Sequence, residues 1–249
     1  MNRTAFFSAI RPAFGDLSEK QVEGMGHLLD AGKDLPLHHM ANVLAQVRRE
    51  TGGYMFPIKE TVMPHHKNKN PTDAEVIRRL DRAFATGKLP WVKTPYWRDG
   101  YFGRGSIQLT HKANYDRFGL TDPAQAMDPK TSARIAVMGM SRGMFTGRKL
   151  SDYVFPDALN ASPSKNPRRI VNGTDGSDKD VARFHREFAG ALEAAGWGQR
   201  TEKAPSSASK PVPHPKPQLG LGAAVAAVLA ALAVGLSQAW ERIAQFFGG

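Results

Sequence analysis

The feature that most constrains this chain is a break in composition after residue 200. Residues 201–218, TEKAPSSASKPVPHPKPQ, carry five prolines and three serines. Proline fixes φ and removes a backbone donor, so the stretch reads as an extended linker that cannot join a packed core. The globular part is thereby confined to residues 1–200, enough for one substantial core. Past the linker, residues 219–236 form an uncharged run of 18, at the lower edge of what spans a hydrocarbon core as a helix. The run holds eight Leu or Val, seven Ala and three Gly, so its insertion energy is modest. Small residues at Ala223, Ala227, Ala231 and Gly235 recur at the spacing that lets membrane helices approach closely. Residues 219–249 are therefore expected to form a hydrophobic, membrane-associated and transmembrane-length helix with a tail. Trp240, Phe246 and Phe247 would then sit in the interface. An Ala-rich surface helix or an unstructured tail is the plainer alternative.

Charge and composition remove several function classes. A formal charge of +11 and a pI near 10.0 suit a polyanionic partner: nucleic acid, lipopolysaccharide, teichoic acid or anionic lipid. The basic residues are scattered, with HHKNK at 65–69 and NPRR at 166–169 as the dense spots, so no specific nucleic-acid role is expected. There is no cysteine, which excludes disulfides and thiolate metal sites. His38 with His39, and His65 with His66, lack a third ligand at zincin spacing, and neighbours on a helix point ~100° apart. No metal is expected. GRGSIQ at 103–108 lacks the lysine of a phosphate loop, and no cofactor is implied. The apolar stretch at residues 5–10 is too short for a secretory core before Arg11 and Pro12, so the expectation is cytoplasmic synthesis without Sec export.

Within residues 1–200 the pattern is helical. Ser18 and Gln21 are placed like a capping box before QVEGMGHLLDAG, and Gly32 suits its stop. Leu37, Met40, Ala41, Leu44 and Val47 follow the spacing of an amphipathic helix that Gly52 and Gly53 end. Further helices fit 72–86, 131–145 and 178–195, with loops at 61–71, 87–106 and 156–177. Sheet is limited to a short pair or hairpin around 101–110. On a wheel with Leu37 at zero, the apolar stripe runs from about 280° to about 40° and Glu50 falls at about 220°. A carboxyl group at the stripe's edge, near the negative end of its helix, is expected to have a raised pKa, as a general acid requires. Arg48 and Arg49 push the other way.

Read whole, VLAQVRRETGGYMFPIKET at 43–61 resembles the catalytic-helix segment of glycoside hydrolase family 19 chitinases and the related phage endolysins. YFGRGSIQLTHKANY at 101–115 is similar to the family's second signature: an aromatic pair, Gly-Arg-Gly, Gln-Leu-Thr, then Asn-Tyr. RIVNGTDG at 169–176 resembles its Asn-Gly element, so the likeness extends over roughly residues 5–195. The resemblance implies a mainly α, lysozyme-like domain of two lobes with a central cleft. It also implies inverting hydrolysis by two carboxylates. Carried over by position, Glu50 is the general acid and Glu60 the base that activates water, and an inverting pair stands about 6.5–9.5 Å apart. Thr110 matches the residue that helps hold that water. Gln108, Asn114 and Asn172 match positions that hydrogen-bond the sugar, and Tyr101 offers a face for stacking; for the polar residues the bland reading is loop capping. Tyr96, Trp97, Tyr101 and Phe102 divide between stacking on sugars and core packing. The sequence departs from the pattern at Arg49, where His is usual. It also lacks a clear counterpart of the family's cleft arginine, since the expected neighbourhood reads Lys179, Asp180, Val181.

The expected function is an endolysin-type peptidoglycan hydrolase, a lysozyme or muramidase, that cleaves the β-1,4 bonds of glycan strands. Its partners would be those strands, an anionic membrane or outer-membrane surface met by the tail, and a holin for release. A chitinase is the nearest alternative. A different class is a membrane-active or wall-binding protein whose glycosidase-like domain does no chemistry.

Overall fold

The computed structural model describes residues 1–63 and 65–198, and these are mainly helical. The linker and apolar run read at 201–249 lie outside the described residues. Among the described residues no helix is long and apolar enough to cross a membrane. The chain runs α1 (Arg3–Phe14), α2 (Glu19–Ala31), α3 (Leu37–Glu50), β1 (Ile58–Lys59), α4 (Asp73–Ala85), β2 (Arg104–Gly105), α5 (Lys112–Arg117), α6 (Pro129–Arg142) and α7 (Asp178–Ala194). Short 3₁₀ turns, including Tyr96–Asp99 and Pro167–Ile170, fill the connections.

The local signals explain most of these bounds. Ser18 accepts from the Gln21 amide while the Gln21 side chain accepts from the Ser18 amide, closing the capping box that starts α2. Gly32 follows α2 at φ −99°, not left-handed; a Cβ there would meet Met40 Sδ at 2.4 Å, so that side chain would have to move. The helix expected at 131–145 begins earlier, since Asp128 caps the Thr131 amide and Pro129 takes the first turn, and ends at left-handed Gly143. Unforeseen is α1, which carries Pro12 in its last turn, where Asn2 caps one end and its amide bonds Ala195 O at 2.8 Å.

Two apolar clusters organise the packing. The larger joins α1, α2, α3, α6 and α7, with Phe6, Leu44, Val47, Met140 and Phe188 sealed from solvent. Each fully buried side chain of this size contributes about 1.5–3 kcal/mol. The smaller gathers Met63, Val76, Leu80, Leu89, Trp97 and Phe102 around α4. The strand pair differs from the local hairpin expected at 101–110. Arg104 and Gly105 pair antiparallel with Lys59 and Ile58, and the local part is one bridge between Arg104 and Leu109. This non-local pair ties the segment after α3 to the smaller cluster.

Candidate active site

Glu50 is the last residue of α3, because Gly52 and Gly53 take φ values of +59° and +87° that continue no helix. Thr51 then locks the turn: its hydroxyl donates to Val47 O at 2.7 Å and accepts from the Met55 amide at 3.0 Å. From α2, Gln21 Nε2 donates to Gly53 O at 2.9 Å, so the capping residue also anchors the turn behind Glu50. The chain then enters β1, and Glu60 follows it directly.

The surroundings of Glu50 differ from the apolar edge read off the wheel. Residues 40–47 of α3 are buried on every side, Asn42 and Gln46 included, because α7 and the turn Pro167–Ile170 cover the polar face. From that turn comes Arg168, 2% exposed, whose Nη2 lies 2.6 Å from Glu50 Oε1. The contact is off-axis, an ion pair without a directed hydrogen bond, since Oε1 has no aligned donor. Arg168 makes its directed bonds elsewhere: Nε and Nη2 to Asp175 Oδ2 at 3.0 and 2.8 Å, and Nη1 to Gln46 Oε1 at 2.8 Å. Burial works against its charge, but Glu50 and Asp175 outweigh that and raise its pKa above the ordinary value. Asp175 is held in turn by the Ser177 amide and hydroxyl at 3.0 and 2.7 Å. The arginine that faces Glu50 is thus Arg168, from the dense NPRR spot and not from residues 179–181.

Glu60 is 5% exposed and accepts one hydrogen bond at each oxygen. Tyr96 Oη donates to Oε1 at 2.7 Å and the Gly103 amide to Oε2 at 2.7 Å, while the Glu60 amide donates back to Gly103 O at 2.7 Å. Burial raises its pKa, opposed by the Gly103 and Tyr96 hydrogen bonds and by the charge of Arg104. The same proximity drives the Tyr96 phenol well up, through burial first and then Glu60. Gly103 leaves room for this approach: a Cβ would meet Gln108 Oε1 at 2.9 Å and Glu60 Oε2 at 3.3 Å, and both side chains would have to shift. The whole Gly-Arg-Gly string has such duties. Arg104 is 1% exposed and pairs with Asp73 at 2.7 Å, and Gly105, at φ +86°, would drive a Cβ to 2.8 Å from Ala126 O and Ser132 Oγ.

The remaining sequence candidates divide. Gln108, at φ +51°, spends Nε2 on Ile58 O and Gly105 O at 3.1 and 2.9 Å, leaving Oε1 buried without a partner. It thus braces the strand pair beside Glu60 and offers one acceptor. Thr110 is 8% exposed, and its carbonyl accepts from Asn114 Nδ2 at 2.9 Å, which is the loop-capping duty. Asn172, four residues past Arg168, accepts from the Gly173 amide at 2.8 Å. Tyr101 is half-buried, edge-on to Tyr115 at 5.3 Å. Trp97 and Phe102 are sealed in the smaller cluster and present no face to a ligand, whereas Tyr96 is partly exposed. Among the described residues no three His, Asp or Glu side chains are placed to hold a metal ion.

No family model matches the chain, and no curated protein matches it. A solved structure of a chitinase C mutant is similar at 18% identity, covering 76% of this chain and 75% of that one, with a TM-score of 0.43. A likeness so faint assigns the chain to no family and no activity.

Proposed function

We propose that the chain is an endolysin-type glycoside hydrolase that cleaves β-1,4 bonds of peptidoglycan by inversion, with Glu50 as acid and Glu60 as base. The observation that carries the reading is the pair of buried carboxylates in unlike settings: Glu50 against Arg168 at a helix end, Glu60 between Tyr96 and the Gly103 amide beside the strand pair. Unlike environments divide acid from base work between two carboxyl groups. In the step proposed, Glu50, once protonated, gives that proton to the glycosidic oxygen as the C1–O bond breaks, and Arg168 beside it favours the carboxylate that results. Glu60 takes a proton from the water whose oxygen bonds to C1. Thr110 would steady the water, with Gln108, Asn114, Asn172 and Tyr101 along the sugar. The basic charge suits an anionic wall, and the apolar run at 219–236 would hold the protein at a membrane.

Incubating the full chain with purified peptidoglycan and, separately, with chitin oligomers tests the substrate. New reducing ends from peptidoglycan, with the inverted anomer first seen by proton NMR, are expected. Turnover of chitin alone would refute the peptidoglycan reading, and a retained first anomer would refute inversion.

A further inference from the structure

Along α3 the residues His38, Asn42, Gln46 and Glu50 stand one every four positions, the spacing that stacks side chains along one helix face. The first three link into a continuous hydrogen-bonded file with His185 of α7. Arg168 Nη1 meets Gln46 Oε1 at 2.8 Å, Gln46 Nε2 meets Asn42 Oδ1 at 3.4 Å, Asn42 Nδ2 meets His185 Nδ1 at 3.4 Å, and His185 Nε2 meets His38 Nδ1 at 3.2 Å. Asn42, Gln46 and His185 are at most 1% exposed, so none can turn to water for another partner. The direction of the file follows from its Arg168 end. A guanidinium only donates, so Gln46 must present Oε1 to it. A backbone carbonyl only accepts, and Pro167 O takes Gln46 Nε2 at 3.0 Å, which fixes the same amide orientation a second time. Asn42 must then offer Oδ1 to Gln46 and Nδ2 to His185. That leaves His185 Nδ1 as an acceptor, with its proton on Nε2, donated to His38.

We infer that Gln46, Asn42 and His185 are positioning residues: a one-way hydrogen-bond file that holds the Arg168 guanidinium against Glu50. The catalytic half of this inference rests on the glycosidase reading; the file itself does not. Desolvation first, then His38, Arg186 and His39, push the His185 pKa down to about 3, in keeping with a neutral ring. The stack of Phe155 on that ring, centroids 5.0 Å apart, keeps it from turning over.

Nitrogen-15 NMR of the histidines in the full chain at neutral pH reads the file directly. Wild-type His185 should be the neutral Nε2–H tautomer. Gln46→Glu does not touch His185, yet it supplies only acceptors, so Asn42 must turn over and His185 must gain a proton on Nδ1. Asn42→Asp should put a proton on Nδ1 as well and serves if the first variant does not fold. An Nδ1–H ring in the wild type, or an unchanged tautomer in a folded variant, overturns the file. In the same preparations Gln46→Leu should lower kcat on peptidoglycan about tenfold with KM within about twofold. A wild-type kcat in a folded Gln46→Leu removes the positioning role. Absence of glycan cleavage by the wild type, with the tautomer switch intact, fails the glycosidase reading and leaves the file standing.

Discussion

Arg168 Nη2 lies 2.6 Å from Glu50 Oε1, and both side chains are almost wholly withdrawn from solvent. Asp175 binds the same guanidinium through Nε and the same Nη2. Arg168→Ala would strand two carboxylates, buried and close together, with no cation between them. Breaking a buried pair from one side costs about 3–5 kcal/mol. Urea denaturation at neutral pH should show a drop of that order; a midpoint unchanged from wild type would mean that the pair does not form.

Glu60 and Asp73 should respond to pH with opposite signs. Burial raises the Glu60 pKa, so its favourable contribution is complete below its unfolded pKa and is lost as pH rises through the folded value. At pH 7 the ionised group is a net cost. Glu60→Gln should therefore unfold at higher urea than wild type at pH 7, with the gap closing near about pH 4. The Asp73 pKa is lowered, since burial acts against its charge but Lys59 and Arg104 outweigh it. Its contribution is present above the unfolded pKa and is lost as pH falls through the folded one. Asp73→Asn should thus be less stable than wild type at pH 7, with a deficit that shrinks on acidification. Urea midpoints across that range decide, and deficits of the same sign in both variants would contradict the electrostatics.

Gly103→Ala tests the close approach that seats Glu60. The added methyl group would meet Gln108 Oε1 at 2.9 Å and Glu60 Oε2 at 3.3 Å, and no left-handed φ complicates the change. Displacing the carboxylate by a fraction of an ångström should cut kcat/KM on peptidoglycan by about tenfold or more while the far-ultraviolet circular dichroism stays helical. Full activity would show that Glu60 needs no such seat.

How much of this was readable beforehand depends on the range of the interaction. The capping box at Ser18 and Gln21, the end of α3 at Gly52 and Gly53, and the helices α4, α6 and α7 are local matters, written in neighbouring residues. Asn42 and Gln46 are polar at positions opposite an apolar stripe, which in isolation signals a solvent face. Burial of that face depends on His185 and Arg168, which arrive from distant segments. Arg168 escaped for the same reason: its turn is short, without helical periodicity, and acquires meaning only when it folds over α3. Pro12 hid α1, since a proline inside a helix removes a backbone hydrogen bond, yet the helix runs past it to Phe14. The strand pair was sought within 101–110 because hairpins are local, whereas β2 found its main partner at Ile58–Lys59. Gly103, Arg104 and Gly105 were visible as a motif, but their separate duties became legible only with Glu60, Asp73 and Ser132 around them.

The proposed function requires the Glu50 and Glu60 carboxylates to break a glycosidic bond. Reducing-end release from purified peptidoglycan by the wild type, Glu50→Gln and Glu60→Gln, each shown to be folded, addresses it in one assay. Steady release by the wild type and a fall of about 10²–10⁴-fold in each variant are expected. Release by folded Glu50→Gln at the wild-type rate would contradict it.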